Sequence, residues 1–169
     1  MEPIETVYKG YRFRSRLEAR WAVFLDKLGI PYQYEKEGFE LDGEWYLPDF
    51  WLPLPEADER HTGSGYWLEI KPLSLSEREK WLLGRLVRDT GHNAYAFAGN
   101  VGFKEFEVTK WELRRQTGEV MMFKIEEPDD YLWLYANLAL FNQWDMKCNI
   151  VDAFNAARSA QFEHGKKGI

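Results

Sequence analysis

The segment Trp67-Leu68-Glu69-Ile70-Lys71-Pro72 places a carboxylate and an ammonium group two residues apart. Its composition predicts a strand over residues 66–71 that ends at the proline, and side chains alternate between the two faces of a strand. We therefore expect Glu69 and Lys71 to point to the same side, while Leu68 and Ile70 point into the core. A carboxylate and a lysine presented together can bind a cation and stabilise negative charge on a substrate.

A second carboxylate, Asp49, lies between Leu47-Pro48 and Phe50-Trp51. An ionised carboxylate in such apolar surroundings is costly unless it has a partner. A loop separates this segment from Glu69, and a hairpin of the two strands would bring the two carboxylates together. Two carboxylates at one point suit Mg²⁺ or Mn²⁺, whose other ligands are water and substrate phosphate. With a lysine that orients the attacking water, this combination predicts phosphodiester hydrolysis.

Glu18 is a third candidate carboxylate. Apolar residues at helical spacing predict a helix over residues 15–28, which ends at Gly29. Glu18 falls in the first turn, three residues after the predicted N-cap Ser15. This spacing also matches a capping box, so the alternative to a catalytic role is a purely structural one.

Four arginines gather at the start of this helix: Arg12, Arg14, Arg16 and Arg20. Guanidinium groups match phosphate oxygens, so these residues are candidates for binding nucleic acid, and Arg16 and Arg20 are one turn apart. The alternative is an exposed, solvated helix face. His61, in a predicted loop over residues 53–65, is a further candidate contact to DNA.

The composition sets limits on the class of protein. The chain has 169 residues, of which 45% are apolar and 17% aromatic, enough for one domain with a core. Its net charge of −6 argues weakly against unspecific coating of nucleic acid. The single cysteine, Cys148, excludes an internal disulfide and fits the reducing cytoplasm, which we expect to be the location. A basic-then-apolar leader and a bilayer-length apolar stretch are both missing, so no membrane partner is expected.

The remaining elements predict an α/β core followed by a helical annex. The core covers residues 1–125 and the annex residues 126–169. The turn Asp42-Gly43 predicts a hairpin, and Ser76 with Glu79 predicts a capping box at the start of a second helix. Strands are predicted over residues 6–13, 32–35, 39–41, 45–52, 94–98, 105–109 and 120–125, and helices over 76–89, 131–144 and 149–162.

The joint pattern resembles the PD-(D/E)xK nuclease superfamily. It consists of residues 14–22 (R-S-R-L-E-A-R-W-A), Leu47-Pro48-Asp49-Phe50 and Glu69-Ile70-Lys71, in that order. More narrowly, the chain is similar to small nuclease-domain proteins of bacteriophages and prophages, most clearly over residues 8–100. The resemblance implies an α+β fold with a restriction-endonuclease-like core, a mixed central sheet of four or more strands flanked by helices.

The resemblance also implies roles for individual residues. Asp49, Glu69 and the backbone carbonyl of Ile70 would hold Mg²⁺ or Mn²⁺, Lys71 would be the catalytic lysine, and Glu18 would be a further catalytic residue or metal ligand. Some relatives carry cysteine pairs near the C-terminus, which this chain lacks. Its annex would instead be held by apolar packing of Tyr131, Trp133, Leu134, Leu138, Phe141 and Trp144.

The expected function is therefore a metal-dependent endonuclease that acts on DNA in a bacterial cell or an infected host. One alternative is a nuclease fold without cleavage, acting as a nucleic-acid-binding or protein-inhibiting module. Another is an α/β protein in which the motif is accidental. Homodimer formation and a protein partner for the annex are left open by the sequence.

Overall fold

The computed structural model of the chain describes residues 2–55, 63–102, 105–125 and 140–162. Within these residues the fold is α+β, with a mixed six-stranded central sheet, two small hairpins and three helices. The helices are α1 (Arg16–Leu28), α2 (Glu77–Thr90) and α3 (Ile150–Ser159). The strands are β1 (Thr6–Tyr8), β2 (Tyr11–Phe13), β3 (Gln33–Tyr34), β4 (Phe39–Leu41), β5 (Glu44–Tyr46), β6 (Phe50–Pro53), β7 (Gly65–Lys71), β8 (Ala94–Gly99), β9 (Phe106–Leu113) and β10 (Val120–Ile125).

The central sheet has the strand order β10-β9-β8-β7-β6-β3. Only the β7–β8 pair in this sheet is parallel, and α2 makes the connection between these two strands. The other neighbours are antiparallel. The prediction of a mixed sheet with four or more strands is thus confirmed. No helix in the described ranges is both long and apolar enough to cross a bilayer.

The prediction of a single strand over residues 6–13 is wrong. The segment folds back on itself, and β1 and β2 pair as an antiparallel hairpin. Lys9 and Gly10 form its turn, with φ angles of 46° and 83°. Two consecutive residues with positive φ are typical of the tight turns whose twist matches that of the strands.

The helix boundaries follow the predicted signals. Ser15 caps α1 by accepting a hydrogen bond from the backbone N–H of Glu18, and Gly29 ends the helix in a left-handed conformation. At α2 the predicted capping box is confirmed, because Ser76 and Glu79 each accept a hydrogen bond from the other's backbone N–H. Such reciprocal bonds satisfy donors that a helix start would otherwise leave unpaired.

The predicted strand over residues 45–52 is divided in two. The turn Asp42-Gly43 forms as predicted, and β5 pairs with β4 in a separate hairpin, whereas β6 joins the central sheet. Pro48 lies at the break, and a proline cannot donate a hydrogen bond to a strand ladder. The β4–β5 hairpin lies against α2, where Asp42 binds Arg85 and Arg88 at 3.0 Å and Glu44 binds Arg78.

The central sheet is buried on both faces. On one face a large aromatic core unites α1 and α3 with the sheet through Trp21, Phe24, Phe97 and Phe154. On the other face a smaller core lies under α2 and the β4–β5 hairpin, and its buried members are Leu41, Trp51, Trp67, Leu83, Leu86, Val87, Ala94, Ala96 and Trp111. The sheet therefore separates two helical layers.

The C-terminal part differs from the predicted annex. Of the predicted helix over residues 131–144, residues 131–139 lie outside the described part, including Tyr131, Trp133, Leu134 and Leu138. Phe141–Gln143 form a single 3₁₀ turn, and Trp144 is extended. Phe141 and Trp144 are buried in the larger core, as the packing prediction requires. The second predicted helix, over residues 149–162, is confirmed as α3 but ends earlier, at Ser159, and Asn149 is its N-cap.

Arg20 joins α1 to the end of α3. Its Nη1 atom donates hydrogen bonds to the carbonyl oxygens of Ala157, Arg158 and Ala160 at 2.9–3.0 Å, and its guanidinium lies over the ring of Phe162. Carbonyls at a helix C-terminus lack partners within the helix and favour a nearby positive charge. Arg20 is therefore a C-terminal cap supplied by a different helix.

We expect Arg20→Ala to lower the free energy of unfolding by about 1.5–3 kcal/mol, because it removes charge-assisted hydrogen bonds. Arg12→Ala is the matched control, since Arg12 binds Glu5 at 2.5 Å in an exposed pair that is expected to contribute about 0–1 kcal/mol. Urea unfolding of the two variants measures both changes. Equal effects would contradict the capping role of Arg20.

Candidate functional site

Asp49 and Glu69 face each other across two neighbouring strands. In the antiparallel β6–β7 pair Phe50 lies opposite Leu68, and one further step of this register places Asp49 opposite Glu69. Asp49 Oδ2 accepts a hydrogen bond of 2.8 Å from the backbone N–H of Ile70. The hairpin arrangement predicted from the sequence is thus present, and a backbone donor fixes one of its two carboxylates.

Both carboxylates are buried, with exposed fractions of 8% for Asp49 and 4% for Glu69. Leu68 and Ile70 pack in the larger core, while Trp67 packs in the smaller one, so β7 is covered on both faces. The face that carries Glu69 is covered by α2 and the β4–β5 hairpin. From this hairpin the hydroxyl of Tyr46 donates a hydrogen bond to Glu69 Oε2.

The electrostatics of the site disfavour two ionised carboxylates. Burial raises the pKa of Asp49 well above its usual value, and the nearby charge of Glu18 raises it further. Burial also raises the pKa of Glu69, from 4.5 to about 8; the charge of Lys71 opposes this shift and that of Glu18 adds to it. A nearby cation would offset both effects, because positive charge favours the ionised form.

Glu18 approaches the two strands from the first turn of α1. Its carboxylate accepts a hydrogen bond from the hydroxyl of Tyr34 on β3. Burial raises the pKa of Glu18, the Tyr34 hydrogen bond opposes the shift, and the charge of Glu35 adds to it. The charge of Glu18 raises the pKa of both Asp49 and Glu69, so the three predicted carboxylates influence one another electrostatically.

Lys71 lies at the end of β7 on the same side as Glu69. Its Nζ atom is 2.6 Å from Glu79 Oε2 at the start of α2. Burial opposes the charge on Lys71, but the Glu79 hydrogen bond and the carboxylates of Glu69 and Asp49 outweigh it, so the pKa of Lys71 is raised. Lys71 is therefore charged. It is anchored beside the carboxylates by Glu79, which the sequence predicted only as part of a helix cap.

The predicted phosphate-binding arginines have different surroundings. Arg14 is exposed and pairs with Glu35 at 2.6 Å, and its charge lowers the pKa of Glu69, which places it near the cluster. Arg16 is half-buried, and Arg12 pairs with Glu5. Arg20 is engaged by α3, although its role toward phosphate remains a prediction. His61 lies outside the described residues.

Sequence reasoning missed four polar residues of the site: Tyr34, Glu35, Tyr46 and Glu79. Each of them contacts a predicted site residue, as described above. Glu35 has a φ of 48°, and its N–H donates to the carbonyl of Asp49 at 2.8 Å. The sequence signal for Glu79 was the capping box, which gives no indication of its second bond to Lys71. The tyrosines carried no signal, because their partners come from distant segments.

The donor set fits a small divalent cation. Carboxylates and a backbone carbonyl are hard oxygen ligands, and Mg²⁺ is usually held by one or two carboxylates with water or substrate oxygens filling its other positions. Among the described residues no three Asp, Glu, His or Cys side chains converge as a ready metal cage. A cation here would thus be held by Asp49, Glu69 and the Ile70 carbonyl, with Glu18 nearby.

In comparisons with family models, with curated proteins and with solved structures, nothing matches the chain.

Without divalent cations, we expect the free energy of unfolding to fall as the pH rises from about 5 to about 8. Folded Glu69 keeps a proton up to a pKa of about 8, whereas the unfolded chain loses it near 4.5, so the unfolded state gains stability in that interval. One proton contributes a slope of at most about 1.4 kcal/mol per pH unit. Urea unfolding in EDTA at several pH values measures this change of the free energy of unfolding with pH.

Glu69→Gln should flatten this profile, while Glu40→Gln, at an exposed position on β4, should leave it unchanged. Mn²⁺ added at pH 8 should raise the melting temperature of the wild-type protein but not that of Asp49→Asn. A wild-type profile that is level between pH 5 and 8 would contradict the raised pKa of Glu69.

Proposed function

We propose that the chain is a metal-dependent phosphodiesterase, with DNA as its substrate and an endonucleolytic mode of action. One observation carries the proposal: Asp49, the residue before β6, and Glu69 on β7 are neighbours, buried and within the electrostatic reach of Glu18 and Lys71. In the same proposal the six-stranded sheet with its helices is a restriction-endonuclease-like core.

A structural role alone explains this cluster poorly. Two buried carboxylates with a third nearby cost free energy, because each loses water and repels the others. Proteins keep such arrangements where the charge is used, and strongly shifted carboxylates in one place are typical of functional sites. Asp49, Glu69 and Glu18 form such a group, because the pKa of each is raised by burial.

The carboxylates and their neighbours would form the binding half of the site. Asp49 and Glu69, with the Ile70 carbonyl, would hold Mg²⁺ or Mn²⁺. The Ile70 N–H and the Tyr46 hydroxyl fix the orientation of the two carboxylates. When bound, the cation supplies Lewis-acid polarisation of the phosphate ester and a lowered pKa for water.

Lys71 and Glu18 would form the reactive half. Lys71 carries a charge at the end of β7, where it can orient the attacking water and offset negative charge on the phosphate. To do so it must exchange its contact with Glu79 for one with water or substrate. Glu18 would hold the water network on the opposite side, from the first turn of α1. Arg14 and Arg16, next to Glu18 in the chain, would bind flanking phosphates.

The test is cleavage of supercoiled plasmid in Mg²⁺, Mn²⁺ or EDTA. We expect nicking or linearisation with either metal and none with EDTA. Lys71→Ala should reduce the rate by about 100-fold or more, as for loss of one electrostatic stabiliser. Lys80→Ala is the matched control, since Lys80 also pairs with a glutamate of α2 (Glu77, at 3.1 Å) and has an exposed fraction of 34%, against 31% for Lys71.

The control separates the outcomes of this experiment. Cleavage that survives in Lys71→Ala would come from a contaminant or another site, and the proposal would be wrong. Equal losses in both lysine variants would indicate a general effect of charge on DNA binding.

Glu18→Gln distinguishes catalysis from capping. The substitution keeps the side-chain length and its contact with Tyr34, so we expect a change in melting temperature of only a few degrees. Because the negative charge near Asp49 and Glu69 is lost, the cleavage rate should fall by at least about tenfold. A lower melting temperature with an unchanged cleavage rate would mean that Glu18 has only a structural role.

A nuclease fold that binds without cleaving is the second candidate function. The observation in its favour is the 2.6 Å contact of Lys71 with Glu79, which ties the lysine to α2. This candidate predicts binding to plasmid, single-stranded or branched DNA in a mobility-shift assay, with no metal-dependent cleavage of any of them.

A further inference from the structure

Among the described residues, strand β10 ends the central sheet, and its edge is apolar. The opposite edge, β3, has only two residues, whereas β10 has six. Of the six large apolar side chains exposed in the described part of the chain, three lie on β10: Met121, Met122 and Phe123. Lys124 is its only charged residue, and it is paired with Glu107 at 2.9 Å. Protein edges usually carry charges or proline that prevent pairing with another strand.

The backbone of β10 has alternate residues facing away from the sheet. The carbonyl of Glu119 accepts a hydrogen bond of 2.8 Å from the Arg114 N–H, so this residue faces β9. Backbone groups of successive residues point to opposite sides of a strand. The N–H and C=O groups of Val120, Met122 and Lys124 therefore point outward from the edge.

A second copy of β10 complements this edge. Two antiparallel copies related by a two-fold axis can place Met122 opposite Met122 of the second copy, with Val120 opposite Lys124 on each side. This register uses all three outward-facing residues of both strands. Moving the two-fold axis by two residues in either direction loses pairs, and moving it to residue 124 places the two Lys124 residues directly opposite each other.

The side chains and charges agree with the same register. Met121 of each copy meets Phe123 of the other, which gives two thioether–aromatic contacts. The two Lys124 side chains are four positions apart, roughly 13 Å along the strands, which exceeds the Debye length of about 8 Å at physiological salt. Each lysine also keeps its ion pair with Glu107 of the same chain, so the two lysine charges are each compensated.

We propose that β10 is a homodimer interface, in which two chains pair antiparallel about Met122 and join their sheets into one. The inference does not depend on the proposed catalytic function. Pairing of one strand buries less surface than a standard protein interface, so we expect a weak dimer with a Kd in the micromolar range.

Sedimentation velocity over a range of protein concentrations tests the interface. The wild-type chain should shift from monomer to dimer as concentration rises. Met122→Lys places like charges opposite each other at the axis and should weaken the dimer at least about tenfold. Met146→Lys is the matched control, because Met146 is similarly exposed (41%, against 48% for Met122) and lies outside the sheet; it should dimerise like the wild-type chain.

Cysteine cross-linking tests the register. In a Cys148→Ser background, Met122→Cys should form an intermolecular disulfide on oxidation, because directly opposed hydrogen-bonded residues lie about 5.5 Å apart between Cα atoms, within the range for disulfides. Met121→Cys should not, since its opposite residue is Phe123. Circular dichroism of each variant checks that it is folded.

A chain that stays monomeric at all concentrations would overturn the proposal. So would a dimer that Met122→Lys leaves intact, because its interface would then lie elsewhere. Cross-linking by Met121→Cys rather than Met122→Cys would show that the strands pair in another register or not at all.

Discussion

The pairing of β6 with β7 is the constraint on which the candidate site depends. It places two carboxylates opposite each other where little water reaches them, and the N–H of Ile70 fixes one of them in place. Buried acids of this kind stay protonated unless positive charge approaches. Lys71 supplies part of that charge but is shared with Glu79. The fold thus places two buried carboxylates with raised pKa values at one point of its sheet.

The surrounding elements determine which groups can reach this point. Helix α1 contributes Glu18 from its first turn, α2 holds Lys71 through Glu79, and the β4–β5 hairpin adds the hydroxyl of Tyr46. The hairpin is itself held on α2 by arginine–carboxylate pairs and by the buried Leu41. Each group comes from a different segment, so the site depends on the packing of the two layers on the sheet.

Sequence patterns predicted the parts of this arrangement that local rules control. Helix caps, the Asp42-Gly43 turn and the alternation along β7 depend on neighbours within a few residues, and they were confirmed. The division of residues 45–52 was missed because both halves favour strand, and only their partners differ. The hydrogen bonds of Tyr34 and Tyr46 were missed because their acceptors are 16 and 23 residues away in the chain. The predicted roles in metal binding and cleavage stay predictions.

The bonds of Arg20 to the end of α3 have a consequence for biosynthesis. Arg20 is two residues from Glu18, yet its acceptors begin 137 residues later. During translation these carbonyls leave the ribosome long after Arg20 does, so α1 gains this anchor only after α3 has been made. A growing chain that already contains Glu18, Asp49, Glu69 and Lys71, but not yet α3, therefore lacks the contact between the two helices. The order of synthesis makes this bond of α1 one that forms only after all four candidate site residues have been made.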